Sequence, residues 1–442
     1  MSLFEVLKAY PREAPLILRE RAPVMAGDII AEIVRAPVDV VEPGDVVAIV
    51  GDFRPDCIAQ LIALIEKRAI VVPLSPDTRA QHHYFFEQGG VDWVIAENRI
   101  ERVRPKRSDD PLLRTLRDRG HPGLVLYSSG TSGRPKAILH DLVPFLAKYG
   151  ASNKTMRTLT FLLFDHIGGV NTLFYALHAG SQLILPTERS PESIFRAVER
   201  ERVELLPTSP TFLRLSANSL DLEGFNLSSL KIVTYGTEVM EEKLLHHWNR
   251  MLPNADFRQT YGMSELGILA VKSRARDSLF FKIGGGVECR VAEGILKLKS
   301  PGRMIGYMNA PSPFDDEGFY DTKDIVDVEA DGDGPWFRIR GRDSEIVNIG
   351  GVKIAPGEVE SVVAGIAGVR EALAFGRPNP ITGQHLELLV AGDGVTQQQV
   401  RAEIRARLPA HCQPARIKFV DRIPHNHRFK RLGAGAIMNE EA

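Results

Sequence analysis

The sequence predicts an α/β protein in two parts: a large N-terminal domain of mostly parallel sheets covered by helices, and a small α+β C-terminal domain. Three observations predict it. Short apolar runs alternate with helical patterns as far as residue 285, a rhythm that implies parallel strands with helices on their faces. The texture then turns to a hairpin and a stretch rich in Gly, Asp and Arg up to Gly351. A compact helix–strand pattern restarts at Pro356. At 442 residues the chain also exceeds one compact core of ordinary size.

Residues 45–50 (DVVAIV) read as a buried strand, and Ile58, Leu61, Ile62 and Ile65 recur behind it at helical spacing. Residues 69–72 read as the next strand, ended by Pro73. Residues 97–121 hold eight Lys or Arg and five Asp or Glu and read as a solvated surface connection. Residues 182–185 are a strand; Ser190-Pro191 then supplies an N-cap and a first-turn proline to a helix with Ile194, Phe195 and Val198 on one face. A strand at 232–234, a helix at 241–251 and a strand at 257–260 continue the alternation. Residues 287–299 read as a hairpin turning at Glu293-Gly294. In the last part, Pro356 opens a short helix and 369–375 and 386–390 are strands. Thr396 and Gln399 have capping-box spacing ahead of a Val400, Ile404, Leu408 stripe. The domain boundary falls between Gly341 and Glu345, giving 1–343 and 344–442.

Lys plus Arg number 55 and Asp plus Glu 56. That balance provides no general field for nucleic acid or an anionic membrane, so any phosphate binding must be local. Three scattered cysteines, Cys57, Cys289 and Cys412, suit a reducing compartment. No stretch is long and apolar enough to span a bilayer, and the first residues carry no signal core. A cytoplasmic protein is expected, monomeric or homodimeric.

The chemistry is concentrated in three segments. Residues 124–136 (LVLYSSGTSGRPK) run from a buried strand into Ser128, Ser129, Gly130, Thr131, Ser132 and Gly133, and end in Pro135-Lys136. Glycines let backbone approach an anion, hydroxyls and amides donate to phosphate oxygens, and lysine adds a point charge. Pro135 and Ala137 exclude the nucleotide-binding P-loop pattern. Tyr261-Gly262-Met263-Ser264-Glu265 follows a strand; its tyrosine suits purine stacking and its glutamate a divalent cation. Asp324, in residues 318–324 (GFYDTKD), and Arg342 suit ribose hydroxyls and phosphate. His82-His83 and His246-His247 lack partners at metal spacing.

These motifs, in this order, resemble the adenylate-forming superfamily of acyl- and aryl-CoA synthetases, peptide-synthetase adenylation domains and luciferases. The resemblance extends from about Glu42 to Leu432, with residues 41–76 and 408–432 similar to the family's first and closing blocks. It implies a two-step reaction. ATP and a carboxylic acid give an acyl-adenylate and pyrophosphate, and the thiol of CoA, or of an acyl carrier protein, then takes the acyl group. It also implies roles. Residues 128–136 cradle the β- and γ-phosphates, while Glu265 and Thr131 hold Mg²⁺. Tyr261 with Gly262 receives adenine, Gly236-Thr237-Glu238 line adenine and acyl group, and Asp324 with Arg342 takes the ribose. Lys353 reaches phosphate, and the mobile Lys430 bridges the substrate carboxylate and the α-phosphate. The C-terminal domain is a mobile lid pivoting at Ser344, and Gly350-Gly351 line the thiol's tunnel.

The chain departs from the pattern at Lys323 and Phe429, each in place of glycine, and at Ser344, in place of Asp or Lys. These departures leave open a nucleotide-binding module without catalysis. Residues 163–170 (LFDHIGGV) face the acyl group in the resemblance. There His166 matches a gate of CoA synthetases, Asp165 matches an ammonium-gripping residue of peptide synthetases, and either suits a helix cap. Ile167, Asn171, Tyr235 and Met263 are expected pocket walls. Met263-Ser264 and Ile349-Gly350-Gly351 favour the CoA-ligase branch.

Overall fold

The computed structural model describes residues 2–128, 134–150, 154–349 and 352–423. A seven-stranded sheet has the order Asp256–Gln259, Ile232–Tyr235, Leu205–Thr208, Arg157–Leu159, Gln182–Ile184, Pro15–Leu18, Val24–Met25. Every neighbouring pair but the last is parallel. A second seven-stranded sheet has the order Gly306–Tyr307, Ala137–Asp141, Gly123–Tyr127, Ile70–Leu74, Val46–Val50, Trp93–Ala96, Arg99–Arg102. Its centre is parallel and its margins antiparallel.

The apolar run at 46–50 is continuous because both faces of its strand are covered. Val47 and Ile49 join a core shared with Ile17 and Leu183 of the other sheet, while Val46 and Ala48 join a separate core with Leu113 and Leu116. Period-two alternation therefore distributes one strand between two cores. The helix Pro55–Glu66 lies in the shared core with residues 57–65 all buried. The helix Ile167–His178 contributes to the same core and keeps its N-terminal end at the site described below.

Two expectations are corrected, and one segment that the motifs left without a fold is filled in. Pro73 sits inside the strand Ile70–Leu74 rather than ending it. Pairing to the strand Gly123–Tyr127 stops at Val71↔Leu124, so no ladder bond on that side requires an N–H at residue 73. Residues 97–121 are not only a connection. They contain the strand Arg99–Arg102 and a helix, Pro111–Arg119, capped by Asp110 and ended by Gly120 at φ +66°, with Leu113 and Leu116 buried. Finally, residues 271–342 form a six-stranded sheet in which every pair is antiparallel. The hairpin within it turns at Glu293-Gly294, both at positive φ, with Ala292 opposite Ile295.

The short 3₁₀ turn Asp343–Glu345 separates that sheet from the last one. The last sheet comprises Val352–Ile354, Val347–Ile349, Gly383–Gly392 and Val369–Asn379, with Arg416–Val420 added parallel to Gly383–Gly392. The helix Gln397–Arg407 covers it, and its Thr396–Gln399 capping box is formed. Among the described residues no helix is long and apolar enough to cross a membrane.

Candidate active site

Residues 128–136 join two adjacent antiparallel strands, with Tyr127 opposite Ala137. Ser128 N donates to Lys136 O at 3.0 Å, and Lys136 N donates to Ser128 Oγ at 3.2 Å. Asn309 braces the far side: its Oδ1 accepts from Ala137 N at 2.9 Å and its Nδ2 donates to Pro135 O at 3.1 Å. Tyr84 also donates to Pro135 O, at 2.9 Å. The neck of the Gly/Ser loop is thus held from both ends. Ser129, Gly130, Thr131, Ser132 and Gly133 lie outside the described residues.

Lys136 Nζ lies 4.7 Å from the centroid of the Tyr307 ring, and Tyr307 donates to Glu265 Oε1 at 2.7 Å. Burial, and then the Glu265 charge, raise the Tyr307 phenol far above its ordinary range, so it remains a donor. Glu265 is itself buried. Tyr307 reaches this place because Gly306–Tyr307 pairs with the strand that follows Lys136, placing Gly306 opposite Leu139 and Tyr307 opposite Ile138. His140 of that strand meets Ser264 O through Nε2 at 2.6 Å and fixes the turn that carries Glu265. Burial draws its pKa down to about 4, so the ring is neutral. A buried carboxylate held by a phenol whose ring also carries a lysine suits Mg²⁺ that arrives with a triphosphate, since that ion keeps water and phosphate ligands and needs few from protein.

Tyr261 is buried with its ring 5.3 Å from that of Phe281, and its phenol donates to Asp324 Oδ2 at 2.6 Å. Arg342 Nε donates to Asp324 Oδ1 at 3.1 Å. Asp324 N donates to Thr322 Oγ1 at 3.0 Å. The intervening Lys323 has φ +61°, in the left-handed region that favours glycine. The structure therefore brings Tyr261, Asp324 and Arg342 together, and separately Lys136 and Glu265.

Gly236 is dictated by close approach, since a Cβ there would lie 2.3 Å from Thr260 Oγ1 and 2.8 Å from Thr260 O. Thr237 is exposed at φ +72°. The Glu238 carboxylate turns away from this edge and accepts from Thr211 Oγ1 at 2.6 Å, at the start of the helix Pro210–Ser219. His166 is the N-cap of the helix Ile167–His178, its Nδ1 accepting from Gly168 N at 3.2 Å. That bond places the proton of a neutral ring on Nε2. Gly169 permits the entry, for a Cβ there would sit 1.9 Å from Leu163 O. Asp165 is buried, and its Oδ2 accepts from Ser75 N at 3.3 Å.

In the small domain Lys353 lies on the strand Val352–Ile354. Gly350, Gly351 and Lys430 lie outside the described residues. Sequence reading missed Tyr307, Asn309 and His140. The strand Gly306–Tyr307 is two residues long, too short to carry a periodic signal.

The model of the AMP-binding enzyme family matches residues 39–292, and that of the AMP-binding enzyme C-terminal domain matches residues 358–430. A long-chain-fatty-acid–CoA ligase of Mycobacterium tuberculosis is 25% identical over 367 residues, covering 77% of this chain and 72% of that protein. A feruloyl-CoA synthase of an Amycolatopsis species is 25% identical over 452 residues, covering 91% and 89%. Among solved structures, o-succinylbenzoate CoA synthetase of Bacillus subtilis with its acyl-adenylate intermediate superposes with a TM-score of 0.76 at 20% identity, covering 97% of this chain and 96% of that one. Family match and fold agree, and the chain belongs to the AMP-binding enzyme family.

Proposed function

We propose that this chain is an acid–thiol ligase. It joins a carboxylic acid to the α-phosphorus of ATP, releases pyrophosphate, and passes the acyl group from the adenylate to the thiol of CoA. The single observation that carries this reading is the pairing of two clusters, Tyr261–Asp324–Arg342 and Lys136–Tyr307–Glu265, at the two ends of the segment 261–265. One suits a nucleoside and the other its phosphates. The relatives that are CoA ligases support the choice of reaction.

A free carboxylate is a poor electrophile, and adenylation makes its oxygen a leaving group. In this reading Asp324 accepts the ribose hydroxyls with Arg342 beside it, and Tyr261 offers a ring face to adenine. Gly236 lets the adjoining edge close against Thr260. Residues 128–136 enclose the β- and γ-phosphates, and Lys136 neutralises charge as pyrophosphate departs. Glu265 and Thr131 would hold Mg²⁺, which screens the phosphates when bound. His166 presents Nε2–H toward the reacting carboxylate.

Residues 344–442 act as the lid, turning at Ser344, with Lys353 and Lys430 as its phosphate-facing lysines. Lys430 serves adenylation, and Gly350-Gly351 admit the pantetheine arm that CoA shares with carrier proteins. The test is pyrophosphate–ATP exchange across a panel of carboxylic acids, followed by CoA or a carrier protein as acceptor. Acid-dependent exchange and a CoA thioester are expected. Exchange followed by transfer to a carrier protein alone would overturn the acceptor, and no exchange with any acid would overturn the function.

A further inference from the structure

One face of the helix Pro210–Ser219 joins the segment 236–241 to the small domain. Thr211, Arg214 and Asn218 follow one another at spacings of three and four, so they share that face. Toward the large domain, Thr211 Oγ1 donates to Glu238 Oε2 at 2.6 Å, and Arg214 Nη2 donates to Glu241 Oε1 at 2.9 Å. Toward the small domain, Arg214 Nη1 lies 3.7 Å from Glu371 Oε1, and Asn218 Nδ2 donates to Arg370 O at 2.8 Å. Arg370 and Glu371 lie at the start of the strand Val369–Asn379. Shortly before that strand, Gly365 makes room for a second helix of the large domain, Glu242–Met251. A Cβ at Gly365 would lie 1.8 Å from Lys243 Nζ.

Arg214 and Glu371 are both less than a tenth exposed. A buried carboxylate is costly without a cation, and Arg214 supplies one to Glu371. The two contacts of Arg214 differ in kind. Toward Glu241, in its own domain, it makes a hydrogen bond. Toward Glu371 it makes only a charge contact, and among the described residues neither its Nε nor its Nη1 has a hydrogen-bond partner. Another charge pair across the boundary, Arg340 with Glu358, lies close to Ser344 in sequence with both side chains reached by water, where ion pairs contribute little.

We infer that Arg214 is a positioning residue that latches the lid in this docked arrangement and so sets the balance between the two half-reactions. When the lid turns, Glu371 passes into water and Arg214 keeps Glu241, so neither charge is stranded. The same helix face then holds the nucleotide-lining segment through Glu238 and Glu241 whether or not the lid is docked. This rests on the proposed two-step reaction and its turning lid.

The experiment measures each half-reaction in single turnovers of the full chain. One half is acyl-adenylate formation from ATP and an acid that supports pyrophosphate–ATP exchange. The other is CoA attack on that acyl-adenylate supplied from outside. Arg214→Gln leaves Glu371 without this cation, and Glu371→Lys sets two cations against each other, so each disfavours docking from a different domain. Both variants should change the ratio of the two rates by at least about 10-fold and in the same direction, because the half that the docked lid serves slows and the other does not. Asn218→Ala removes an exposed bond to the same strand and should move the ratio the same way by about 2- to 10-fold. It serves if Arg214→Gln does not fold. A shift in Arg214→Gln alone would place the effect at Glu241 and overturn the latch. Shifts in opposite directions, or a ratio unchanged in folded variants, would also overturn it, and the ligase function would stand in each case. No exchange with any acid would overturn both.

Discussion

Tyr261 and Asp324 are joined by a hydrogen bond of 2.6 Å from phenol to carboxylate, across 63 residues of sequence. The bond ties the turn that carries Glu265 to the antiparallel sheet that carries Asp324, and it leaves Asp324 shared between Tyr261 and Arg342. A carboxylate held by two fixed donors is preorganised to accept further donors without moving.

The first prediction follows from that arrangement. Asp324→Ala should weaken ATP binding by about 1.5–3 kcal/mol, the range for hydrogen bonds to a charged group. The control is 2′,3′-dideoxy-ATP, measured calorimetrically. Wild type should lose affinity for it, while the variant should bind both nucleotides alike. An equal loss in both proteins would remove Asp324 from the ribose.

Lys136 has two separable functions. Its backbone closes the neck of the loop with Ser128, and its side chain extends over Tyr307. Lys136→Ala retains the backbone bonds, so the unfolding free energy from denaturation should change by no more than about 0.5 kcal/mol. Pyrophosphate–ATP exchange should fall sharply in the same preparation. A folded variant with unchanged exchange would refute the phosphate role.

Lys323 occupies φ +61° and pairs with Asp321 Oδ2 at 2.9 Å. Substituting Ala and Gly removes that exposed pair equally, so their difference isolates the backbone. The left-handed conformation costs a residue with Cβ about 1–2 kcal/mol, against about 0.5–1 kcal/mol of extra chain entropy lost by Gly. Lys323→Gly should therefore be more stable than Lys323→Ala by about 0.5–1 kcal/mol, the reverse of the usual order. Urea denaturation of the two variants decides it.

His140 predicts a dependence on pH. Burial lowers its pKa from 6.5 to about 4 in the folded state. Between those values the unfolded chain binds more protons, so this residue's contribution to stability is full above pH 6.5. It is lost as pH falls toward 4, by up to about 3 kcal/mol. His140→Gln should flatten that part of the stability–pH curve. An identical slope in variant and wild type would contradict the assignment.

Local signals were legible in the sequence wherever a side chain acts on its own neighbourhood. Ser190 caps Ser193 N with Pro191 at the first turn, Thr396 and Gln399 exchange their capping bonds, and Glu293-Gly294 supply two positive φ values. The segment from Tyr261 to Glu265 was legible as a motif because it is continuous in sequence. What brings Tyr307 to Glu265 is pairing between distant short elements. A two-residue strand has no periodicity to read. Pro73 misled for a related reason: whether a proline ends a strand depends on which neighbour needs its N–H, and that neighbour is remote in sequence.

The most direct test of acyl-adenylate formation is the fate of the acid's own oxygen. With an acid labelled with ¹⁸O in its carboxylate, incubated with ATP, Mg²⁺ and CoA, the proposed reaction carries one carboxylate oxygen onto the α-phosphorus. Mass spectrometry should then find one ¹⁸O in the AMP, none in the pyrophosphate, and as much thioester as AMP. Label in orthophosphate with ADP as the nucleotide product, or unlabelled AMP alongside thioester, would contradict it.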